Sequence, residues 1–192
     1  MAFNRKDHFF HKAKKDGFLA RSAYKLEEIQ KKHRLFKRGD FVLDLGASPG
    51  SWSQYASKAV GPEGLIVGID LKPVEFTAPN AEFHQMNIFE LDPEILHDRQ
   101  PDVIMSDMAP NTTGIRSVDQ ARSEELCLEV IKVATQFLKP GGHLVMKIFE
   151  SQTDQTVTKE LKSQFREIKR LKPEAVRKGS FETYLIAKNY QE

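Results

Sequence analysis

The sequence predicts an α/β domain built on a seven-stranded, mostly parallel sheet with helices on both faces. Short apolar or β-branched runs alternate with helical stretches along most of the chain, which is typical of βαβ units. The last two predicted strands, in contrast, are joined by a charged turn with no helix between them. This break in the alternation predicts that the C-terminal strand is antiparallel and lies at the edge of the sheet.

The individual elements follow from periodicity and from turn residues. Apolar residues at helical spacing predict a first helix over 21–36. The predicted strands are 41–46, 65–71, 82–87, 102–107, 143–149, 165–172 and 181–188. The remaining predicted helices are 50–60, 119–138 and 153–164, and "LKPGG" ends the long one. Seven strands with such a final hairpin are the architecture of the class I S-adenosylmethionine-dependent methyltransferase fold, which is Rossmann-like.

Length and composition favour one soluble domain. The chain has 192 residues, of which 40% are hydrophobic and 29% charged. We assign residues 1–17 to a basic, mobile tail and residues 18–192 to a single methyltransferase domain. No apolar run approaches the roughly 20 residues that span a membrane, and the N-terminus lacks the pattern of a signal peptide.

The cysteine and histidine content argues against a disulfide-stabilised protein and against a metal-binding protein. Cys127 is the only cysteine, so the chain forms no internal disulfide, and a reducing cytoplasm is expected. Cys127 lies in an apolar helical pattern that indicates buried packing. His8 and His11 lie in the basic tail without a cluster of other ligands, so no metal site is expected.

The net charge of +2 hides a strong segregation of charge. Residues 1–38 hold 12 Lys/Arg against 4 Asp/Glu, and residues 159–178 hold 8 against 3. Such segments suit a face that binds a polyanion, although an isolated basic stretch is equally compatible with a solvated tail. Aromatic residues interleave with the N-terminal lysines, where they either stack on bases or pack the tail against the domain: Phe3, Phe9, Phe10 and Phe18.

A glycine-containing turn after the first strand predicts a nucleotide-like cofactor. "FVLDLGASPGSWSQYA" (41–56) is a strand, a turn with Gly46 and Gly50, and a helix whose first N–H groups are free. Asp70 ends the second strand 20 residues after Gly50, where an acidic residue binds ribose hydroxyls. The turn lacks the G-x-G-x-x-G of dinucleotide sites. S-adenosylmethionine has no phosphate, so a site that binds it does not need this glycine pattern. From this motif alone, a plain βα turn without a ligand is also possible.

Further polar residues are predicted where strands end in the ligand crevice. Asp107 ends the fourth predicted strand, and Lys147 lies near the end of the next. The loop "DMAP" after the fourth strand differs from the Asn/Asp-Pro-Pro-aromatic loop of many amino-methylating enzymes, which disfavours that chemistry. Alone, Lys147 is equally explained as an edge lysine that extends to solvent.

These stretches resemble the FtsJ/RlmE family of RNA ribose 2′-O-methyltransferases from about residue 18 to the C-terminus. The matching segments are "RSAYKLEEIQKKHRLFKRGDFVLDLGASPGSWSQYA", "VIMSDMAPNTTG", "LKPGGHLVMKIFE" and "RKGSFETYLIA". The family has a Lys-Asp-Lys-Glu catalytic tetrad, and the resemblance places it on Lys25, Asp107, Lys147 and Glu182. It also implies S-adenosylmethionine as the cofactor.

For the cofactor, the resemblance implies contacts from Gly50, Trp52 and Asp70, with Asp107 beside the methyl donor. The adenine-binding position after the third strand is usually an aspartate in the family, and here it is Asn87. An asparagine offers both an acceptor and a donor, so it is still able to bond the adenine amino group. Trp52 is also compatible with simple helix packing.

The residue types suit methyl transfer to a ribose hydroxyl. Such a hydroxyl is a poor nucleophile, so a positioned base must take its proton during the attack. A lysine acts as a base only as a neutral amine, and both burial and a nearby cation favour that form. Lys147 is therefore predicted to be the base and Lys25 the neighbouring cation, with Asp107 and Glu182 orienting the two amines.

The expected substrate is RNA. Relatives of this length resemble the bacterial enzyme that methylates a uridine of large-subunit ribosomal RNA, so the expected partner is ribosomal RNA within that subunit. The protein is expected to act as a monomer without a protein partner. Three alternatives stay open: a tRNA or mRNA-cap 2′-O-methyltransferase, a methyltransferase for a small molecule or protein, and a non-catalytic RNA-binding assembly factor.

Overall fold

A seven-stranded mixed sheet forms the centre of the computed structural model, which describes residues 8–151, 155–177 and 179–192. The strands are β1 (Phe41–Leu45), β2 (Leu65–Asp70), β3 (Ala81–Gln85), β4 (Val103–Ser106), β5 (His143–Phe149), β6 (Phe165–Leu171) and β7 (Glu182–Tyr190). Their order across the sheet is β3-β2-β1-β4-β5-β7-β6. Among these strands, β7 alone runs antiparallel to the other six.

The position of the antiparallel strand corrects one prediction. The C-terminal strand β7 is antiparallel, as predicted, but it lies between β5 and β6 and is not at the edge of the sheet. Most residues of β7 are buried, whereas β6 carries charged side chains that are exposed or half-buried, including Arg166 and Arg170. A polar strand tolerates the edge because charges there discourage pairing with other chains.

Five α-helices flank the sheet in the described part of the chain. They are α1 (His8–Lys15), α2 (Ala23–His33), α3 (Ser51–Val60), α4 (Arg116–Phe137) and α5 (Gln155–Gln164). The predicted helices are found with ends shifted by a few residues, and the first residues of the predicted helix 153–164 lie outside the described residues. None of the described helices combines the length and apolarity that crossing a membrane requires.

Helices cover both faces of the sheet, and the side chains of β1 alternate between the two apolar layers. Phe41, Leu43 and Leu45 belong to the apolar layer that contains α4 and α5. Val42 belongs to the opposite layer, which contains α2 and α3. Burial on both faces explains why the central strands β1, β2 and β4 are nearly continuous apolar runs, whereas the edge strand β3 is half-buried and more polar.

Helix α1 lies within the segment that the sequence assigned to a mobile tail. Its Ala13 is buried against Tyr24 and Ala175. Phe9 and Phe18 contact the same tyrosine, with ring centroids 5.8 and 5.5 Å away. These two aromatics therefore pack against the domain, which was one of the two predicted roles. Phe3 lies outside the described residues, and the boundary at residue 17 stays a prediction.

A buried carboxyl group joins β1 to α3. Asp44 is 1% exposed, and the Ser53 hydroxyl donates a hydrogen bond to its Oδ2 at 2.5 Å. Its other oxygen has no hydrogen-bond partner in the described part of the chain. Burial raises the pKa of Asp44 to about 7, and the nearby charges of Asp107 and Asp70 add to the effect, while the bond from Ser53 opposes it.

The raised pKa of Asp44 predicts a pH-dependent stability. The unfolded chain ionises this carboxyl near pH 4, whereas the folded protein retains the proton to about pH 7. The free energy of unfolding therefore falls as pH rises from about 4 to 7, and the loss is complete above that range. Urea denaturation should show wild type losing about 2 kcal/mol more than Asp44→Asn between pH 5 and 8. Parallel pH profiles for the two proteins would contradict the burial of a protonated carboxyl.

Candidate active site and cofactor cleft

A cleft of about 610 Å³ opens at the carboxyl ends of β1, β2 and β4. Ligands of open α/β sheets bind at this edge, where the strand order reverses. Three of the residues that the sequence assigned to the cofactor line the cleft: Asp70, Asn87 and Asp107. Its volume lies within the range of small-ligand pockets.

The turn after β1 requires glycine. Gly46 has a φ of +83°, and a Cβ there would lie 2.1 Å from Cγ of Met108 across the cleft. Gly50 has a φ of +111°, and its Cβ would lie 2.5 Å from Cβ of Phe76. Both positions favour glycine because of the backbone angle and the close contact. The turn thus presents bare backbone to the cleft, which suits the close approach of a ligand.

Asp70 links the two loops that flank the cleft. Its carboxylate accepts hydrogen bonds from the backbone N–H of Ser48 at 2.9 Å and of Lys72 at 2.8 Å. Each carboxylate oxygen has a second acceptor site. The side chain therefore fixes the loops and still has capacity to accept bonds from the two hydroxyls of a ribose.

Asn87 begins a short 3₁₀ turn at the wall of the cleft. Its Oδ1 accepts a hydrogen bond from the Phe89 N–H at 3.3 Å. Phe89 also lines the cleft and is 49% exposed, so an apolar ring is available to an aromatic ligand. The asparagine thus lines the cleft, and its contact with adenine stays a prediction.

Gly50 and Trp52 lie behind the cleft and do not line it. Trp52 is 3% exposed, and its Nε1 donates to the Ser22 carbonyl at 3.0 Å, which ties α3 to the start of α2. Both residues lie at the start of α3, where backbone N–H groups have no partner within the helix. Any contact with a cofactor would therefore come from the backbone at these two positions.

The four residues of the predicted tetrad lie together as two ion pairs. Lys147 Nζ lies 3.1 Å from Asp107 Oδ1 and also donates to the Asp107 backbone carbonyl. Lys25 Nζ lies 2.5 Å from Glu182 Oε1. The lysine side chains are 9–10% exposed, so both pairs are largely removed from water. At such burial, each charged group is stabilised by its partner, because a buried charge without one is strongly destabilising.

Tyr184 connects the two pairs, and the sequence analysis did not identify it. The side chain is completely buried, and its hydroxyl donates to Asp107 Oδ1 at 2.7 Å. Lys25 Nζ lies 5.7 Å from the centre of its ring. In the sheet, Tyr184 is directly opposite Lys147. The only available signal was its place two residues after Glu182 on the same side of a strand.

The surrounding charges keep Asp107 ionised. Burial alone would raise the pKa of its carboxyl, but the ammonium groups of Lys147 and Lys25 and the Tyr184 hydroxyl outweigh this effect. The pKa of Asp107 is therefore below its ordinary value. Burial raises the pKa of Tyr184 well above its ordinary value, and the neighbouring carboxylates add to the shift, so the hydroxyl retains its proton and donates.

No group of three or more His, Cys, Asp or Glu side chains in the described ranges is arranged to hold a metal ion. Cys127 is buried, and its thiol donates to the Lys147 carbonyl at 3.2 Å. Burial raises the pKa of this thiol to about 12. A thiol with this pKa is inert at neutral pH, so Cys127 supports the backbone of β5.

Known proteins share this chain's sequence over almost its whole length. The FtsJ-like methyltransferase family model matches residues 18–190. A Bdellovibrio bacteriovorus protein named ribosomal RNA large subunit methyltransferase E is 49% identical over 191 residues, which cover 97% of each chain. A Desulfatibacillum aliphaticivorans protein of the same name is 47% identical, covering 94% of this chain and 89% of its own.

Solved structures agree with the sequence matches. A Plasmodium falciparum protein assigned to the ribosomal RNA methyltransferases superposes with a TM-score of 0.81 at 30% identity, covering 90% of this chain and 98% of its own. Fibrillarin from Aeropyrum pernix, crystallised with S-adenosylmethionine, has a TM-score of 0.59 at 20% identity and covers 86% and 76%, which shows the fold alone. The chain therefore belongs to the FtsJ-like methyltransferase family, and its cofactor is S-adenosylmethionine.

Proposed function

We propose that the protein methylates a ribose 2′-hydroxyl in RNA, namely of a uridine in large-subunit ribosomal RNA. The observation that carries the proposal is the Lys147–Asp107 pair, because it holds an amine 3.1 Å from a carboxylate that lines the cofactor cleft. The names of the relatives support ribosomal RNA as the substrate. The protein is further proposed to work in the cytoplasm as a monomer.

In the proposed mechanism, Lys147 removes the proton from the ribose hydroxyl. S-adenosylmethionine supplies a methyl group activated by its sulfonium. Lys147 would first lose the additional proton of its ammonium, and the neutral amine would then take the proton of the ribose hydroxyl when that oxygen accepts the methyl group, with S-adenosylhomocysteine as the leaving group. Asp107 holds Nζ through its carboxylate and its backbone carbonyl. Since the carboxylate is ionised, it also stabilises the ammonium that forms.

Lys25 and Glu182 form the part of the tetrad that is proposed to face the RNA. Asp107 lines the cofactor cleft, whereas Lys25 and Glu182 line a second cleft. The ion pair between them fixes the Lys25 ammonium beside Tyr184. From there the ammonium is proposed to orient the ribose by donating a hydrogen bond to one of its oxygens.

The cofactor contacts are proposed to involve five residues. Asp70 accepts bonds from the ribose of S-adenosylmethionine, and Asn87 lies beside the adenine. Gly50 and Trp52 contribute backbone N–H groups at the start of α3, and Asp107 lies beside the methyl donor. The support is their position: Asp70, Asn87 and Asp107 line the cleft, and the other two begin the helix next to the glycine turn.

A methyl-transfer assay tests the function directly. The full-length protein is incubated with radiolabelled S-adenosylmethionine and either undermethylated large ribosomal subunits, their free RNA or bulk tRNA. We expect label in the large-subunit RNA, and mapping should place it at a 2′-O-methyl uridine. Label found in tRNA alone would point to the alternative substrate. Binding of RNA without transfer to any of the three would favour an assembly factor.

Replacing Lys147 with arginine tests its role as the base. Arginine keeps the positive charge beside Asp107, but it stays protonated and is not able to accept a proton. We expect the transfer rate to fall by about 10²- to 10⁴-fold, while the dissociation constant for S-adenosylmethionine changes little. Lys132→Arg, on the exposed face of α4, is the matched control. An active Lys147→Arg protein would remove Lys147 from the mechanism.

The proposed bond between Asp70 and the cofactor ribose is tested by combining a variant of Asp70 with a modified ligand. Asp70→Asn should weaken binding of S-adenosylhomocysteine, measured by calorimetry, because the amide offers fewer acceptor sites for ribose hydroxyls. An analogue without the 2′- and 3′-hydroxyls should bind both proteins with nearly equal affinity. If Asp70 only fixes the loops through Ser48 and Lys72, the substitution will weaken both ligands equally.

A further inference from the structure

A second cleft, of about 620 Å³, lies on the Lys25 and Glu182 side of the tetrad. It is separate from the cofactor cleft, with which it shares no lining residue. Three arginines from distant parts of the chain line it: Arg21, Arg116 and Arg177. Burial lowers the pKa of Arg21, and the positive charge of Arg177 contributes, so these two guanidinium groups lie within electrostatic reach of each other. Clustered cations next to a reaction centre favour an anionic ligand.

An aromatic wall faces the same cleft. Phe181 and Phe149 both line it, with ring centroids 4.7 Å apart in an edge-to-face arrangement. The guanidinium of Arg116 lies 5.5 Å from the centre of the Phe181 ring. Phe149 is 8% exposed and supports Phe181, which is only half-buried. The cleft thus combines a supported aromatic ring with several cations, which is the combination that binds single-stranded nucleic acid.

Hydrogen bonds fix the walls of this cleft in advance. Asp119 is 3% exposed, and its carboxylate accepts bonds from the Thr113 N–H and hydroxyl and from the Gly114 N–H. These bonds hold the loop that leads from the tetrad to Arg116. On the other wall, the Ser123 hydroxyl accepts from the Phe149 N–H at 3.1 Å. A fixed loop and a fixed ring reduce the entropy that binding would otherwise cost.

The two basic segments of the sequence meet here. Arg21 belongs to the N-terminal segment 1–38 and Arg177 to the segment 159–178. Arg116 lies in neither segment, and only the fold brings it to the same cleft. The polyanion-binding face that the charge pattern predicted therefore has a defined concave centre, immediately beside the tetrad.

We infer that this second cleft binds an unpaired nucleotide of the RNA next to the reacting ribose, with its base stacked on Phe181 and its phosphates held by Arg21, Arg116 and Arg177. The inference rests on RNA being the substrate. A base is able to stack on a side chain only after leaving its own helix, so the protein selects RNA whose target segment is single-stranded. The nucleotide held in this cleft is thereby recognised separately from the cofactor.

Binding of a fluorescent oligonucleotide tests the inference on the full chain. The probe is a uridine-containing single-stranded RNA with 2-aminopurine in place of one base, and the same strand in a duplex is the comparison. Phe181→Leu should weaken single-strand binding about tenfold or more, and Phe181→Tyr should restore it. The leucine variant should also raise the KM for RNA without changing the affinity for S-adenosylmethionine. Phe137→Leu, at the end of α4, half-buried and outside both clefts, is the aromatic control.

Salt dependence tests the arginines. Arg116→Gln should reduce the slope of log K against log salt concentration by about 0.7 for each phosphate that the variant no longer neutralises. Arg99→Gln is the control, because Arg99 precedes β4, is exposed, belongs to neither basic segment and lines neither cleft. Thermal unfolding of each variant checks that the fold is intact.

The outcomes separate this inference from the proposed function. If wild type methylates ribosomal RNA but Phe181→Leu and Arg116→Gln bind the single strand as well as wild type does, the cleft does not hold a nucleotide. The same conclusion follows if the duplex binds as tightly as the single strand. If wild type methylates no RNA, the proposed function fails. The cleft inference then stands only if single-strand binding still depends on Phe181 and Arg116.

Discussion

A buried pair of opposite charges, Lys147 with Asp107, is the interaction on which the rest of the structure depends. Taking an ammonium out of water is costly unless a carboxylate and further hydrogen bonds replace the solvent. The fold meets this condition by ending β4 beside β5 and by placing Tyr184 opposite Lys147 in β7. The second pair, Lys25 with Glu182, lies beside the same tyrosine, with Lys25 Nζ 5.7 Å from the centre of its ring. Removing any one charged group leaves its partner buried alone, so the four residues and Tyr184 act as one unit.

The two clefts are formed by different halves of the sheet and have different linings. The cofactor cleft is formed by the first half of the sheet, with bare glycine backbone and the Asp70 carboxylate at the ends of β1 and β2. The second cleft is formed by the other half and by the loop that precedes α4, and its lining includes four cations, two carboxylates and two aromatic rings. The tetrad lies between the two. Asp107 lines the first cleft, whereas Lys25 and Glu182 line the second.

The sequence predicted the fold well because its signals were local. Seven strands and the predicted helices follow from apolar runs and from punctuation by glycine and proline, and the structure has them with small shifts at the ends. The insertion of β7 between β5 and β6 was missed, since order within a sheet depends on which strand is most apolar and not on sequence order. Helix α1 was also missed. The helix packs against Tyr24, which lies beyond the predicted tail boundary, and against Ala175, which is far from it in the sequence.

For the site, residues at strand ends were predictable, but residues that act through packing were not. Asp70, Asp107 and Lys147 follow from their places at the carboxyl ends of strands. For Tyr184 the only signal in the sequence was its place two residues after Glu182, because a tyrosine in an apolar strand is usually a core residue, and its hydrogen bond to Asp107 is visible only in the structure. The sequence likewise gave no indication that Arg116 and Phe181 belong to one site. They are 65 positions apart in the chain, and only the three-dimensional structure places one over the other.

The central position of β7 has a consequence for how the protein is made. This strand is the last element of the chain, yet it supplies Glu182 and Tyr184 and separates β5 from the edge strand. During synthesis, the earlier strands and helices emerge first, and β6 has no neighbour in the sheet until β7 arrives. Contacts of such large sequence separation form late and slowly. A chain that stops before β7 therefore retains the glycine turn after β1 but lacks Glu182 and Tyr184.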